Sequence, residues 1–162
     1  MRGTVILLLN QNLIRPMETD RIQDQLINEF EKFSDDRKRF KYFRQLMKIG
    51  EDAVGGQPPD DTLDDSCLVP VSKRQIWLKA TLENGKVFFT AYSPSPIYKA
   101  LLGILVKVFS GRRPLEIINC NLYLLNEIRL YKQLNTEWLK DLMIVVRRMK
   151  FLAASLKTYT LA

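Results

Sequence analysis

The sequence predicts an α+β fold, in which a small antiparallel sheet is covered by helices on one side. Apolar residues recur at helical spacing in the first third of the chain, two short strand-like segments follow, and helical spacing then returns. Helices grouped around one hairpin, with no alternation of strands and helices, favour this layer arrangement. We expect a domain at residues 19–155, an amino-terminal arm at 1–18 and a carboxy-terminal tail at 156–162.

Two consecutive helices are predicted before the strands. The first covers residues 19–33, and either Thr19 or Asp20 is placed to cap its first turn. The second follows the polar break at residues 34–36 and runs to about Ile49, where Gly50 is placed to end it. Helical spacing turns four side chains of this second helix inward: Phe40, Phe43, Leu46 and Met47.

A long loop and a β-hairpin are predicted next. Residues 55–65 contain Gly-Gly-Gln-Pro-Pro and several aspartates and show no periodicity, which is typical of a loop. Residues 75–82 and 86–92 are rich in β-branched and aromatic side chains. Asn84 and Gly85 between them supply the positive φ that a tight hairpin turn requires. Trp77, in the first strand, is expected in the core because tryptophan is large and mostly buried.

The rest of the chain is predicted to be helical. Ser95 and Pro96 open a strongly apolar helix through Phe109, which a Ser-Gly pair at residues 110–111 ends. A short helix follows from Pro114. Asn135 or Thr136 caps the final helix, whose apolar side chains recur at intervals of three and four: Trp138, Leu142, Val145, Val146, Met149 and Leu152.

Composition excludes several functional classes. The chain of 162 residues has a net charge of +7, which favours acidic partners, and it contains no histidine and only two cysteines. A histidine general base is therefore excluded, two thiols are too few for an ordinary zinc site, and we expect no metal or cofactor. Two thiols also favour a reducing compartment. The apolar run at residues 5–9 is too short to span a membrane, so we expect a strand or an irregular arm there.

Several blocks of residues, in the right order, resemble the SufE family of sulfur-acceptor proteins. Residues 69–78 read Val-Pro-Val-Ser-Lys-Arg-Gln-Ile-Trp-Leu, and the family signature has Val-Pro-Gly-Cys followed by Gln-Ser-Gln-Val-Trp-Leu. Residues 110–117 resemble the family's Ser-Gly-Arg-Thr-Pro-x-Glu-Ile, and residues 35–50 resemble its helix ending in Ile or Leu before Gly. The resemblance covers about residues 19–152 and implies the SufE-like fold.

The resemblance implies a sulfur-acceptor site at residue 72, but this position holds serine. SufE proteins take sulfur from a cysteine desulfurase as a persulfide on a loop cysteine, which requires a polarisable thiolate. Ser72 cannot form a reversible persulfide. Val71 stands where the family has glycine and stiffens the loop. In addition, Tyr92 replaces an acidic residue of the family, and Trp138 replaces an arginine.

Three functions follow from this interpretation. We predict a SufE-like protein without enzymatic activity or sulfur-carrier chemistry, which acts by binding as a structural subunit or as a regulator. The alternative is a sulfur acceptor or activator of a cysteine desulfurase in iron–sulfur cluster assembly, with Cys67 replacing the missing thiol. The third is a basic adaptor on RNA or a ribosome. Cys120 is expected to be a buried small hydrophobe without a role.

The basic residues allow a protein or a nucleic-acid interpretation. Lys73 and Arg74 beside Gln75 are expected to form a partner-binding patch, and the alternative is a solvated shoulder of the hairpin. The basic side chains of residues 37–48 alternate with aromatic residues, as they do on surfaces that bind nucleic acid. Phe40 and Phe43 are expected in a buried stripe, however, which disfavours a nucleic-acid surface. Arg147, Arg148 and Lys150 are expected on a solvated face.

The expected setting follows from the resemblance. It implies a bacterium or a plastid, and we expect the stroma or matrix of a plastid or other organelle, with the cytoplasm as the alternative. The sequence leaves open whether residues 1–18 are a remnant of a targeting sequence.

Overall fold

The computed structural model describes residues 17–33, 36–54, 63–71 and 74–160. The predicted arm at residues 1–18 lies outside these ranges except for its last two residues. No helix in the described part of the chain is long and apolar enough to cross a membrane. Nine elements are numbered here in chain order: α1 (Glu18–Glu31), α2 (Arg39–Val54), β1 (Trp77–Glu83), β2 (Lys86–Tyr92), α3 (Pro96–Phe109), α4 (Pro114–Asn119), α5 (Leu124–Glu127), α6 (Leu130–Gln133) and α7 (Thr136–Thr160).

The predicted α+β fold and hairpin are confirmed. β1 pairs antiparallel with β2, so that Trp77 lies opposite Tyr92 at the open end of the hairpin. Asn84 and Gly85 form the turn with φ angles of 52° and 78°, the left-handed conformation expected for an Asn-Gly hairpin. One face of the hairpin packs against helices, and its buried side chains include Leu78, Val87, Phe89 and Ala91.

Trp77 does not lie in the core, and this prediction was wrong. Successive side chains of a strand point to opposite faces, and the neighbouring Ile76 and Leu78 are both buried in the core. Trp77 is only half-buried, and its ring lies 6.0 Å from that of Tyr92. The strand alternation therefore outweighs the general tendency of tryptophan to be buried.

Helix α3 is the centre of the domain, and its side chains are buried on nearly all sides. It contacts β2, α1, α2 and α7. Pro96 is its first residue, as predicted, and the chain leaves it through Gly111, which has a φ of 77°. Ser95 precedes the helix but makes no side-chain cap. Instead, its N–H donates to the hydroxyl of Ser93.

The backbones of α2 and α3 touch where they cross. A methyl group on Gly50 would overlap the Cα atom of Ala100, and one on Gly103 would overlap the Cα atom of Gly50. Helix α2 continues past Gly50 to Val54, so the prediction that Gly50 ends this helix was wrong. The glycine serves the close approach of two helices, and its backbone remains helical.

Two further predictions for α1 and α2 were wrong. Helix α1 begins at Glu18, where the carbonyl of Met17 accepts the first turn's N–H groups, so neither Thr19 nor Asp20 is the cap. Phe40, expected in the buried stripe of α2, is 73% exposed. Leu46 is buried as predicted, and Phe43 and Met47 are partly buried against the core. Tyr42 and Ile49 are also buried, so the face of α2 that meets the core is rotated away from Phe40.

The final helix begins as predicted. The side chain of Asn135 accepts the backbone N–H of Trp138 at 2.9 Å, which caps α7. Leu142, Val145, Val146 and Met149 are buried along one face. The helix continues through Thr160, so most of the expected tail is helical.

The crossing of α2 and α3 leads to a stability prediction. We expect Gly103→Ala and Gly50→Ala each to lower the free energy of unfolding by about 2 kcal/mol, because overpacking a tight site costs about 1–3 kcal/mol. The higher helix propensity of alanine, worth up to about 1 kcal/mol, offsets only part of this loss. Urea unfolding followed by circular dichroism measures the change.

The control for this measurement is Lys140→Ala, on the exposed face of α7. It is expected to change the stability by less than about 0.5 kcal/mol. A stability of Gly103→Ala equal to that of the unmodified protein would contradict the direct backbone contact.

Candidate functional site

The loop that contains residue 72 is anchored at both ends. The N–H of Val69 donates to the carbonyl of Ile76 at 2.8 Å, and Leu68 forms an isolated bridge with Trp77. Val69 and Ile76 are both buried. Residues 70–75 therefore connect two fixed positions at the open end of the hairpin. Ser72 and Lys73 lie outside the described residues.

The described residues on either side of this gap differ in exposure. Val71 is half-buried, and its N–H donates to the carbonyl of Val69 at 2.9 Å. Arg74 and Gln75, predicted to bind a partner, are both exposed. The chain thus presents one cation and one amide to solvent shortly after the position of the family cysteine.

A buried hydrogen bond joins α3 to α7 near this loop. The hydroxyl of Tyr98 donates to Oδ2 of Asp141 at 2.5 Å, and both residues are 2% exposed. Burial, followed by the hydrogen bond and the negative charges of Asp141 and Glu137, raises the pKa of Tyr98, and the positive charge of Arg74 opposes this shift. Tyr98 therefore remains protonated at neutral pH, and its proton is held by Asp141.

Aromatic rings stand at the two positions where the resemblance leads one to expect charged groups. Tyr92 replaces the expected acid. Its ring centroid lies 6.0 Å from that of Trp77 and 5.8 Å from Nζ of Lys99. Trp138 replaces the expected arginine and is half-buried at the start of α7. The indole N–H of Trp77 has no hydrogen-bond partner among the residues that the structure describes. Rings therefore stand at both positions where the resemblance leads one to expect charged side chains.

A cleft of about 230 Å³ opens beside Tyr92. The carboxy-terminal part of α2 and the start of α3 form its walls, and its lining includes Met47, Glu51, Ser93 and Lys99. Its volume is below the range of about 300–1,000 Å³ that is usual for small-molecule sites. Such a cleft suits the side chain of a partner better than a cofactor. Over the described ranges, no group of three acidic or cysteine side chains is arranged to hold a metal ion.

Cys67 lies in a short turn and not in an extended stretch of loop. A 3₁₀ turn spans Asp65–Cys67, and Asp64 accepts the backbone N–H of Ser66 at 2.8 Å. This hydrogen bond and that of the Ser66 side chain lower the pKa of Asp64. The Cys67 thiol is half-buried, and its Sγ atom lies 4.0 Å from the hydroxyl of Ser66. Because Leu68 is bridged to Trp77, the turn is attached to the hairpin directly after the thiol.

Cys120 is buried in a structural hydrogen-bond network. Its thiol accepts a hydrogen bond from Nε2 of Gln23 at 3.6 Å, and its carbonyl accepts one from Nζ of Lys150 at 2.6 Å. Oε1 of Gln23 also accepts the N–H of Leu124 at 3.0 Å, which attaches α1 to α5. Burial raises the pKa of the Cys120 thiol. The thiol is therefore protonated and shielded, as expected for a residue without a reactive role.

Sequence reasoning missed the pair of Tyr98 and Asp141. One signal was present, because Asp141 lies three residues after Trp138 and four before Val145, on the inward face of the final helix. An acid on such a face requires a buried partner. Nothing in the sequence identifies Tyr98 as that partner, since the two residues meet only when α3 and α7 pack together.

Comparison with known proteins agrees with this geometry. The profile of the family described as "SufE: Fe-S metabolism associated domain" matches residues 24–153. No curated protein matches the chain. The solution structure of a hypothetical protein from Thermus thermophilus has the same fold, with a TM-score of 0.68, 19% sequence identity, and coverage of 85% of this chain and 96% of that one. The family match covers most of the chain, and this protein therefore belongs to the SufE family of Fe–S metabolism associated domains.

Proposed function

We propose that this protein acts by binding and carries no sulfur, as a structural subunit or a regulator within Fe–S metabolism. The observation that carries the proposal is the serine at residue 72, in a chain that the family profile matches over residues 24–153. Val69 and Ile76 still anchor the ends of this loop. The framework that presents the reactive position is therefore retained without its nucleophile.

Oxygen cannot replace sulfur in the family's reaction. A carrier thiolate attacks the terminal sulfur of the desulfurase persulfide, the S–S bond breaks, and the desulfurase thiolate leaves. A serine hydroxyl stays protonated near neutral pH without a strong base. The buried carboxylate of Asp141 already accepts the hydrogen bond of the Tyr98 hydroxyl. We therefore propose that residue 72 takes no part in sulfur transfer.

The surface around the loop supports a binding role. Arg74 and Gln75 are exposed beside the rings of Trp77 and Tyr92, and a cleft large enough for a side chain lies next to Tyr92. Aromatic residues and arginine are enriched at protein interfaces. We propose a protein partner with an acidic contact surface. One such partner is a cysteine desulfurase, to which this chain binds at the site that a true carrier would use.

We also propose a reducing organelle stroma or matrix as the setting, with the cytoplasm as the alternative. The chain has only two cysteines, too few for the disulfide framework of a small secreted domain, which supports a reducing compartment.

A sulfur acceptor that uses Cys67 is the second candidate. It is favoured by a half-exposed thiol on the same side of the hairpin as the family's loop. To take the place of residue 72, however, Cys67 would have to break the bridge of Leu68 with Trp77 and the hydrogen bond of Val69 with Ile76. The candidate therefore requires a partner that delivers sulfur to Cys67 while Cys67 stays in the turn Asp65–Cys67.

Restoring the thiol tests the proposed loss of carrier chemistry. After incubation with a cysteine desulfurase and cysteine, we expect intact mass spectrometry to show no added sulfur on the unmodified protein. Ser72→Cys is expected to gain one reducible sulfur atom, and Val71→Gly combined with Ser72→Cys to gain it faster, because glycine frees the loop.

The matched control for these variants is Ser72→Ala, which should behave as the unmodified protein does. Transferable sulfur on the unmodified protein would contradict the proposal. A Ser72→Cys variant that binds the desulfurase but never receives sulfur would show that more than the nucleophile has been lost.

The second candidate has its own test in Cys67→Ser. If Cys67 is inert, this variant stimulates the desulfurase no more and no less than the unmodified protein does, and neither acquires sulfur. A sulfur adduct that appears on the unmodified protein and disappears in Cys67→Ser would establish Cys67 as the acceptor. Cys120→Ser is not a suitable control, because Cys120 is buried in the network with Gln23.

Charge reversal tests the binding surface. We expect Arg74→Glu to weaken binding to the desulfurase by up to about fivefold at low salt, because an exposed ion pair contributes up to about 1 kcal/mol. Arg147→Glu makes the same change of charge on the exposed face of α7 and should leave the affinity within about twofold. Surface plasmon resonance at two salt concentrations measures both variants. Equal losses for the two variants would indicate a general charge effect and would contradict a docking role for the loop.

A further inference from the structure

The first half of α2, with the 3₁₀ turn before it, presents a cationic surface that the proposed function does not use. Residues 37–48 contain six basic side chains and no acidic one. The stretch also carries Phe40, the most exposed large apolar side chain of the described chain. The basic residues are Arg37, Lys38, Arg39, Lys41, Arg44 and Lys48.

Phe40 lies among these cations on one face of the helix. Lys41, Arg44 and Lys48 are exposed and follow one another at intervals of three and four residues, which places neighbours about 5–6 Å apart. The guanidinium of Arg44 lies 4.9 Å from the centroid of the Phe40 ring. We name this set of four residues the α2 cationic face. It combines a row of charges with an aromatic ring that an arginine supports.

The exposure of Phe40 removes the argument against a nucleic-acid surface. That argument placed Phe40 in a buried stripe with Phe43, which would have left only a solvated row of charges. Phe40 is instead 73% exposed, and Tyr42 and Leu46 occupy the buried side of α2. The ring is therefore available for contact with a ligand.

We propose that the α2 cationic face binds single-stranded nucleic acid. Lys41, Arg44 and Lys48 contact successive phosphates of the strand, and one base stacks on the ring of Phe40. Surfaces that bind single strands without sequence preference combine these two elements, a cationic track and an aromatic platform, with a further contribution from arginine next to the ring. Glu51 and Asp52, which are exposed in the next turn of α2, limit the track at its carboxy-terminal end.

Other occupants fit this face less well. Two copies of the chain that met through this face would bring like charges together, because the face carries no acid to pair with them. A protein partner generally requires a larger apolar centre, and Phe40 is the one large apolar side chain that the face, as defined by its four described residues, exposes. A single strand of nucleic acid requires only spaced cations for its phosphates and an aromatic ring on which a base can stack.

A second exposed phenylalanine provides a matched control. Phe151 on α7 is 60% exposed, and the guanidinium of Arg148 lies 5.5 Å from its ring centroid. Its helix also exposes the apolar side chain of Met143, and Lys150 nearby donates to the carbonyl of Cys120. The two phenylalanines thus share exposure and an adjacent arginine. Phe40 lies with three exposed cations, whereas Arg147 is the one exposed cation among the described residues within a turn of Phe151 on α7.

Fluorescence anisotropy with a labelled oligouridine of about 16 nucleotides, the upper end of site sizes for single-strand binding folds, tests the proposal. We expect salt-sensitive binding by the full chain. Phe40→Ala should weaken it about tenfold through the loss of base stacking, and Phe151→Ala should leave it within about twofold. Circular dichroism confirms that both variants remain folded, which is expected because both side chains are exposed.

The salt dependence gives a second, independent measurement. Each of Lys41→Gln and Lys48→Gln should reduce the slope of log affinity against log salt by about 0.7, the value for one phosphate contact on a single strand. Arg147→Gln on α7 should leave the slope unchanged.

Three results would overturn the proposal. The first is the absence of oligouridine binding at low salt, and the second is equal loss of binding in Phe40→Ala and Phe151→Ala. The third is binding of polyglutamate as tight as that of oligouridine and equally weakened by Phe40→Ala, which would assign the face to acidic polypeptides. None of these measurements depends on sulfur transfer, so they leave the proposed function to be decided separately.

Discussion

Direct backbone contact between α2 and α3 fixes the position of α2 against the centre of the domain. Gly50 and Gly103 lie at the crossing, next to Ala100, and no side chain separates the two helices there. Because α3 also packs against β2, α1 and α7, its position relative to α2 influences every other layer of the fold. The crossing determines which side of α2 meets the core, and therefore which side chains remain in solvent. Both the cleft beside Tyr92 and the exposure of Phe40 follow from this one contact.

The open end of the hairpin combines a loop with fixed ends and a pair of aromatic rings. The hydrogen bond between Val69 and Ile76 fixes the ends of the loop, residue 72 is a serine, and the rings of Trp77 and Tyr92 lie 6.0 Å apart. The proposed binding role rests on these rings, because aromatic residues are enriched at protein interfaces. The buried pair of Tyr98 and Asp141 belongs to the scaffold, because it connects α3 with α7 and its proton is already held.

Helix α2 separates two surfaces of different character. Its carboxy-terminal part, with Met47 and Glu51, contributes to the cleft beside Tyr92. Its first half presents cations and Phe40 to solvent. The two proposals use separate surfaces, a protein partner at the hairpin and a polyanion on α2, and the net charge of +7 suits acidic partners at both. Part of the basic composition noted in the sequence therefore lies on one defined face of α2.

The sequence by itself determined the local elements and the family. Asn84 and Gly85 specify the hairpin turn, Pro96 the start of α3, and Asn135 the cap of α7, because each depends on the backbone preferences of a few neighbouring residues. Only the tertiary structure decided that Gly50 continues a helix, that Phe40 and Trp77 leave the core, and that Tyr98 meets Asp141. Periodicity shows that a helix has an apolar face, but the rotation of that face toward the core depends on how closely two helices approach. That distance depends on residues far apart in the chain, such as Gly50 and Gly103, which no local pattern connects.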